Sequence, residues 1–269
     1  MRVKMNELKQ RVVKSEERSY LTFISPFVVI ITGVLLWHLI TLSGIFPSYS
    51  LPSPLAVLQS FKEEFAGGRL FTDIIASLWR VVVGFTISSA LAIPIGLWLG
   101  KNALPRKALL PVINFFRFLS PLAWIPFAIL WFQIGDKPAI FLIFLATFFP
   151  LAVATMSAVF TIPTIYFRVA HDYHYNKIQM LTRVVLPAVL PQLITALRVN
   201  YGIAWVVIVA AEMVGCQDGL GYGIWEARNG LRLDAAVCYM IIIGLLGMII
   251  DRLLFRLTRL SNVRWGYEK

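Results

Sequence analysis

The chain has 269 residues, of which 58% are hydrophobic and only 14% charged, and its mean hydropathy is +0.75. A soluble domain carries about 25% charged residues, so this one could not cover its own core in water. A soluble enzyme, a disordered chain and a coiled coil are excluded, and lipid is the expected solvent. The net charge of +11 does not point to nucleic acid, because no base-stacking or groove-reading element accompanies it. In a membrane chain such an excess belongs to loops on the cytoplasmic side. Two cysteines, Cys216 and Cys238, are too few for a disulfide framework or a cysteine metal cage.

Six stretches approach the ~20 apolar residues that a membrane crossing needs. Leu21 to Leu42 is uncharged, and is too long and lacks the small-residue site of a cleaved signal peptide. Leu78 to Leu99 carries only Arg80, near its start. Ala108 to Ile134 is interrupted by Pro111, Pro121 and Pro126, which requires neighbouring helices to satisfy the freed backbone groups. Pro138 to Phe160, Ala188 to Val214 and Ala235 to Ile250 complete the set. The expected fold is therefore an all-α integral membrane bundle of about six helices. Its membrane domain runs over residues 21–254, between a segment 1–20 and a tail 255–269. The loops and the two terminal segments together place seventeen Lys and Arg on one side and five on the other, which puts both termini in the cytoplasm of a multi-pass cell-membrane protein.

Two loops are more than connectors. After Pro52 and Pro54, Leu58, Phe61 and Phe65 recur at helical spacing among Lys62, Glu63 and Glu64. That pattern predicts a short amphipathic helix on the outer membrane face or packed on its own bundle as a lid. The stretch from Pro163 to Pro187 is long and polar, and a loop of that length in a compact protein is usually functional.

His171 and His174 share a helical spacing, but no third ligand stands near them, so a solvated helix surface is the better reading than a metal site. No nucleophile motif or glycine-rich phosphate loop occurs. The chain is expected to be no enzyme and to carry no cofactor. Charges inside spans are costly and therefore informative. Glu212 and Arg117 are expected to face the bundle interior, as an ion pair or a substrate contact, whereas snorkelling accounts for Arg198. Four close glycines, Gly215, Gly219, Gly221 and Gly223, allow tight turns before a short helix from Ile224 to Asn229.

The run from Arg183 to Leu186-Pro187 and on to Pro191, following a polar helix, resembles the coupling region of ABC-transporter permeases fed by binding proteins. Several motifs are similar to the nitrate, sulfonate and taurine branch: Leu51-Pro-Ser-Pro54, Ser77-Leu-Trp-Arg80, Pro121-Leu-Ala-Trp-Ile-Pro126, Ala210-Ala-Glu-Met213, Gly219-Leu-Gly-Tyr222 and Gly244-Leu-Leu-Gly247. The family's Glu-Ala-Ala and glycine positions fall on Arg168, Val169, Ala170 and His174, so the coupling signature is degenerate. His is tolerated where positive φ is required, whereas Arg168 reverses a charge that would face the partner.

The resemblance implies a type I importer permease bundle for a small oxyanion such as nitrate, a sulfonate, taurine or bicarbonate. It implies ABC ATPase subunits that hold ATP and Mg, a periplasmic or lipid-anchored binding protein, and a second permease copy in a homodimer. Arg168, Ala170, His174, Leu186 and Pro187 are then the candidates for ATPase coupling. Arg117, Trp124, Trp205, Glu212 and Tyr222 are the candidates for the substrate path or gate. The rival classes are an ion-gradient-driven secondary transporter, against which the absence of an internal repeat counts, and a non-transporting membrane scaffold.

Overall fold

The structure, a computed structural model, describes residues 25–47 and 50–257. Eleven helices run in order: α1 (Ser25–Leu42), α2 (Pro54–Ala66), α3 (Arg69–Lys101), α4 (Ala103–Phe118), α5 (Ile125–Phe132), α6 (Asp136–Phe160), α7 (Thr164–Asp172), α8 (Lys177–Met180), α9 (Leu186–Gly215), α10 (Leu220–Asn229) and α11 (Leu233–Leu257). Among the described residues there is no strand. Residues 1–20 and most of the tail lie outside the described residues.

Among the described residues five helices are long and apolar enough to cross a membrane, and α4 with the segment Pro121–Phe132, bent by 83°, brings the number to six when the pair is counted as one span. The break follows from proline chemistry. Ser120 precedes Pro121 and is held extended at ψ 125, because the proline ring excludes the helical region for its predecessor. A short 3₁₀ turn, Pro121–Trp124, then restarts the chain into α5.

The bundle is centred on α3 and α6. Gly84, Ser88, Ala92, Gly96 and Gly100 recur every fourth residue along α3, and all are buried. Gly84 meets Ile143, Gly96 meets Thr155 and Gly100 meets Val159, while the Thr147 hydroxyl donates to Ser88 at 2.7 Å. Both rows ascend together, so the two helices run parallel with their four-residue ridges in register. A methyl group on Gly96 would come within 2.7 Å of the Ala152 carbonyl oxygen. Close approach of backbones through small residues is how helices associate where lipid removes the hydrophobic driving force.

The remaining spans alternate in direction. α9 runs against α6, with Val189 packed by Val159 at one end and Gly215 beside Pro138 at the other. α11 runs with α3, its Tyr239 against Gly223 and its Asp251 on Arg198. α1 touches the rest of the chain through Trp37, whose indole N–H donates to the Pro52 carbonyl at 3.1 Å. Thr41, in its last turn, borders a cavity shared with Asp234. The start of α1 and the end of α11 therefore emerge at the same face. The large apolar residues on the outside, such as Val29, Leu130 and Val206, are those expected of a surface solvated by lipid.

Three expectations change. α3 begins at Arg69 rather than Leu78, which gives it 33 residues. α10 begins at Leu220 rather than Ile224. The helix after Pro52 forms as α2 and packs on the bundle, one of the two expected placements, through Val57 and Ser60, with Leu58, Phe61 and Phe65 left exposed. Its polar flank is tied down: Ser60 bonds Asp234, and Arg232 pairs with Glu63 at 3.2 Å and Glu64 at 3.1 Å. Finally, Leu186-Pro187 does not end a loop. It lies within helix continuous from Lys177, just after a wider turn at Leu181–Val185. Pro187 lacks the N–H that a regular helix would direct at Arg183, which accounts for the local unwinding.

Candidate functional site

The densest polar cluster stands at the end of the bundle where α3 and α6 begin. Arg80 is 2% exposed, and three carboxylates surround its guanidinium. Nε donates to Asp136 at 2.7 Å, Nη1 to Glu212 at 2.8 Å and to the Asp218 carbonyl at 2.9 Å, and Nη2 pairs with the Asp218 carboxylate. Glu212 is completely buried. Its second oxygen accepts from the Ser77 hydroxyl at 2.8 Å and from the Gly221 amide at 2.9 Å. Ser77 in turn accepts from the Leu220 amide, and Asp73 accepts from the Gly219 amide and the Tyr239 hydroxyl. The first amides of α10 are thus capped by side chains of α3 and α9, and the turn 216–219 is fastened between them.

The glycines of this segment have separate reasons. Gly219 sits at φ 103, where any side chain is strained, and a methyl there would collide with the Glu212 carboxylate. Gly221 lies in α10, where a methyl would stand 2.2 Å from the Val209 carbonyl oxygen. Cys216 donates to the Gly135 carbonyl at 3.3 Å, and the Gly135 amide returns a bond to Gly215 at 2.9 Å, stitching the two turns together. Burial pushes the Cys216 thiol up to about 12. Glu212 therefore has both oxygens engaged, and its partner is Arg80, a charge that the sequence places in another span. Opposite charges at matching depth in two crossings, Arg80 and Glu212, were the signal available for that pairing.

At the opposite end lies the segment expected to couple to a partner. α7 exposes Ile165, Tyr166, Arg168 and Val169 and turns Ala170 inward against the bundle. His174 stands at φ 56, the left-handed conformation that the family's glycine position implies. A capping box between Asn176 and Gln179 starts α8. Between α7 and the start of α9 opens a cleft of about 900 Å³ bordered by Ile165, Tyr166, Val169, Tyr173, Tyr175 and Arg183. Leu186 and Pro187 are exposed, with Pro187 on the cleft wall. Arg168 has no carboxylate within ion-pairing distance among the described residues.

The other candidates are dispersed. Trp205 is buried, donates to the Ile243 carbonyl at 3.1 Å and lies against Gly247. Tyr222 is half-buried on α10 and stacks on Trp225, with the Arg69 guanidinium 6.0 Å from its ring. Trp124 is half-buried at the break after α4, in a run of rings with Phe127 and Trp131. Arg198 does not merely snorkel: Nε and Nη2 both donate to Asp251 at 2.6 Å.

Arg117 is exposed rather than enclosed by the bundle, with its guanidinium 5.0 Å from the Phe118 ring and no carboxylate at ion-pairing distance among the described residues. An arginine at the centre of a membrane helix costs about 2.5–3.5 kcal/mol on insertion scales. An exposed cation–π contact returns only about 0.5–1 kcal/mol.

With this geometry in place, likeness to known proteins becomes informative. Residues 92–264 match the profile of the family described as binding-protein-dependent transport system inner membrane component. The chain is 34% identical to the bicarbonate transport system permease protein CmpB of Synechococcus elongatus, over 87% of each chain. It is 32% identical to the nitrate import permease protein NrtB of Synechocystis sp., over 85% of this chain and 86% of that one. Its fold superposes on a chain of a bacterial alginate ABC transporter solved with an alginate-bound periplasmic protein. The TM-score is 0.63 at 14% identity, covering 90% of this chain and 96% of that chain.

Proposed function

The chain belongs to the binding-protein-dependent transport system inner membrane components, as a multi-pass permease subunit of an ABC importer, and from that premise we propose that its cargo is a small oxyanion of the bicarbonate, nitrate, sulfonate or taurine kind. The observation that carries the substrate class is the match, over most of both chains, to permeases named for bicarbonate and for nitrate.

The rest of the reading follows from the two ends of the bundle. Two copies enclose a central path in a homodimer. The α7 end, with its exposed Ile165, Tyr166 and Arg168, its buried Ala170 and the left-handed turn at His174, docks a separate ATPase subunit that binds ATP and Mg and performs the hydrolysis. The cleft ending at Leu186 and Pro187 ties that dock to α9, so a push on α7 passes into a crossing helix as rigid-body motion. The Arg80 end meets a substrate-binding protein outside the cell. There Glu212 acts by holding α10, and with it Tyr222, in place, while Trp124 and Trp205 stabilise the helices that border the path. The excess of Lys and Arg in the loops at the α7 end sets both termini in the cytoplasm.

The test is reconstitution of the chain with its ATPase and binding protein in proteoliposomes, measuring uptake of labelled bicarbonate, nitrate, methanesulfonate and taurine. Uptake of one of these that needs ATP and withstands ionophores is expected. Uptake that persists without the ATPase and collapses with an ionophore refutes the reading in favour of gradient-driven transport.

A further inference from the structure

We propose that Arg117 is the cation that receives the transported anion midway across the membrane, an inference that rests on the oxyanion reading above. Its depth comes from packing: the neighbouring Phe116 ring stacks on Phe149 with centroids 5.2 Å apart. Phe149 lies in the middle of α6, about 20 Å from Asp136 and about 17 Å from Phe160 at the helical rise. Arg117 is therefore near mid-bundle and too far from either end to reach an interface readily.

Its charge is unanswered among the described residues. The two other arginines within the apolar stretches of the sequence are paired, Arg80 with Asp136, Glu212 and Asp218, and Arg198 with Asp251. Arg117 has no such partner among the described residues, and an intramembrane charge left this way faces water or a bound counter-charge.

Position around the helix separates a water-lined path from lipid. At about 100° per residue, Arg117 lies about 40° from Ile113, the buried residue of α4. The most exposed apolar residues, Leu104, Phe115 and Phe118, lie about 140° to 180° from Ile113. Arg117 thus occupies the flank nearer α6, beside the half-buried Asn114 and next to the break at Ser120. The Arg80 cluster cannot serve an anion, because three carboxylates outnumber its one guanidinium. Among the three arginines of the apolar stretches, Arg117 is the one whose positive charge has no carboxylate partner among the described residues.

Two measurements test this on the assembled complex. The first compares uptake of labelled nitrate and bicarbonate by the wild type, Arg117→Gln and Arg117→Lys. A fall of at least about tenfold in Arg117→Gln with a raised KM, and substantial retention in Arg117→Lys, are expected at unchanged assembly. Normal uptake by Arg117→Gln overturns the proposal, as does disassembly of both variants, which would make Arg117 a subunit-contact residue. The second needs no transported substrate. With Cys at the exposed Ser120, a negatively charged methanethiosulfonate reagent should react about tenfold faster than a positively charged one, and Arg117→Gln should abolish that preference. Absence of labelling, or a preference that survives Arg117→Gln, overturns the proposal. A wild type that moves none of nitrate, bicarbonate, methanesulfonate and taurine removes the oxyanion reading, while the labelling preference still decides whether Arg117 sets a positive potential on a water-lined path.

Discussion

Arg80→Met should be among the most damaging substitutions at the outer-loop end, and its size follows from the geometry. The change leaves Glu212 completely buried with two remaining donors, Ser77 and the Gly221 amide. Removing one partner of a buried pair costs about 3–5 kcal/mol, because the other charge stays uncompensated. In a chain of this size that is a loss on the order of 10 °C in melting temperature. Asp136 is more than half exposed on its side of the same guanidinium, so Asp136→Asn should cost no more than about 1 kcal/mol. Adding Glu212→Gln to Arg80→Met removes the stranded charge, so the double variant should recover at least about 2 kcal/mol relative to the sum of the singles. The assay is thermal unfolding of the purified complex in detergent, taken as a double-mutant cycle. Additive effects, or an Arg80→Met variant as stable as Asp136→Asn, would refute the view that Glu212 depends on Arg80.

Gly221→Ala should prevent α10 from seating on α9, since its methyl would meet the Val209 carbonyl; Gly202→Ala, with nothing within 4 Å, should be neutral or stabilising by up to ~1 kcal/mol, and folded yield checks both. Cys216 should resist maleimide at pH 7–8, where a thiol displaced to about 12 holds about 10⁻⁴ or less of thiolate; labelling should quicken as pH rises, and rapid labelling of the native protein at pH 7 would contradict this. Arg168→Glu should weaken co-purification of the chain's own ATPase if the dock accommodates a cation at that place. His174→Gly should stay within about 1 kcal/mol of the wild type, because relief of the left-handed backbone is offset by a more flexible unfolded chain. A cysteine at position 177 should be shielded from impermeant reagents in intact cells and one at position 218 labelled; the reverse pattern inverts the orientation.

The spans were legible because lipid imposes a rule that one strand of sequence can express: about twenty apolar residues in a row. Their limits were less so. α3 continues back to Arg69 because Asp73, Ser77 and Arg80 are satisfied by side chains and amides from α9, α10 and α11, partners that lie more than 130 residues away in sequence. A polar stretch read alone looks like loop, whereas a polar stretch with buried partners is helix. The 83° bend shows the opposite balance: three prolines announced the interruption, and the local rule for a residue preceding proline sufficed to place it at Ser120.

The same distinction explains the candidate sites. The left-handed turn at His174 was foreseeable because the resemblance places the family's glycine there and histidine tolerates positive φ, whereas nothing marked Gln133 and Leu231, which also have positive φ. Pairing was not, because an intramembrane charge carries no mark of which distant charge answers it. Glu212 and Arg117 looked alike in sequence, each an isolated ionisable residue well inside an apolar span. Folding separates them, since Glu212 lies at the depth of Arg80 and is enclosed by it, whereas Arg117 follows Phe116, which stacks on Phe149 at mid-height, and has no carboxylate at ion-pairing distance among the described residues. One is consumed in holding α10, and the other remains chemically available. A membrane permease can keep an arginine in that state only where something other than lipid approaches it, which is why Arg117, and not the more conspicuous carboxylate, is the charged residue of the spans with a capacity left to use on a solute.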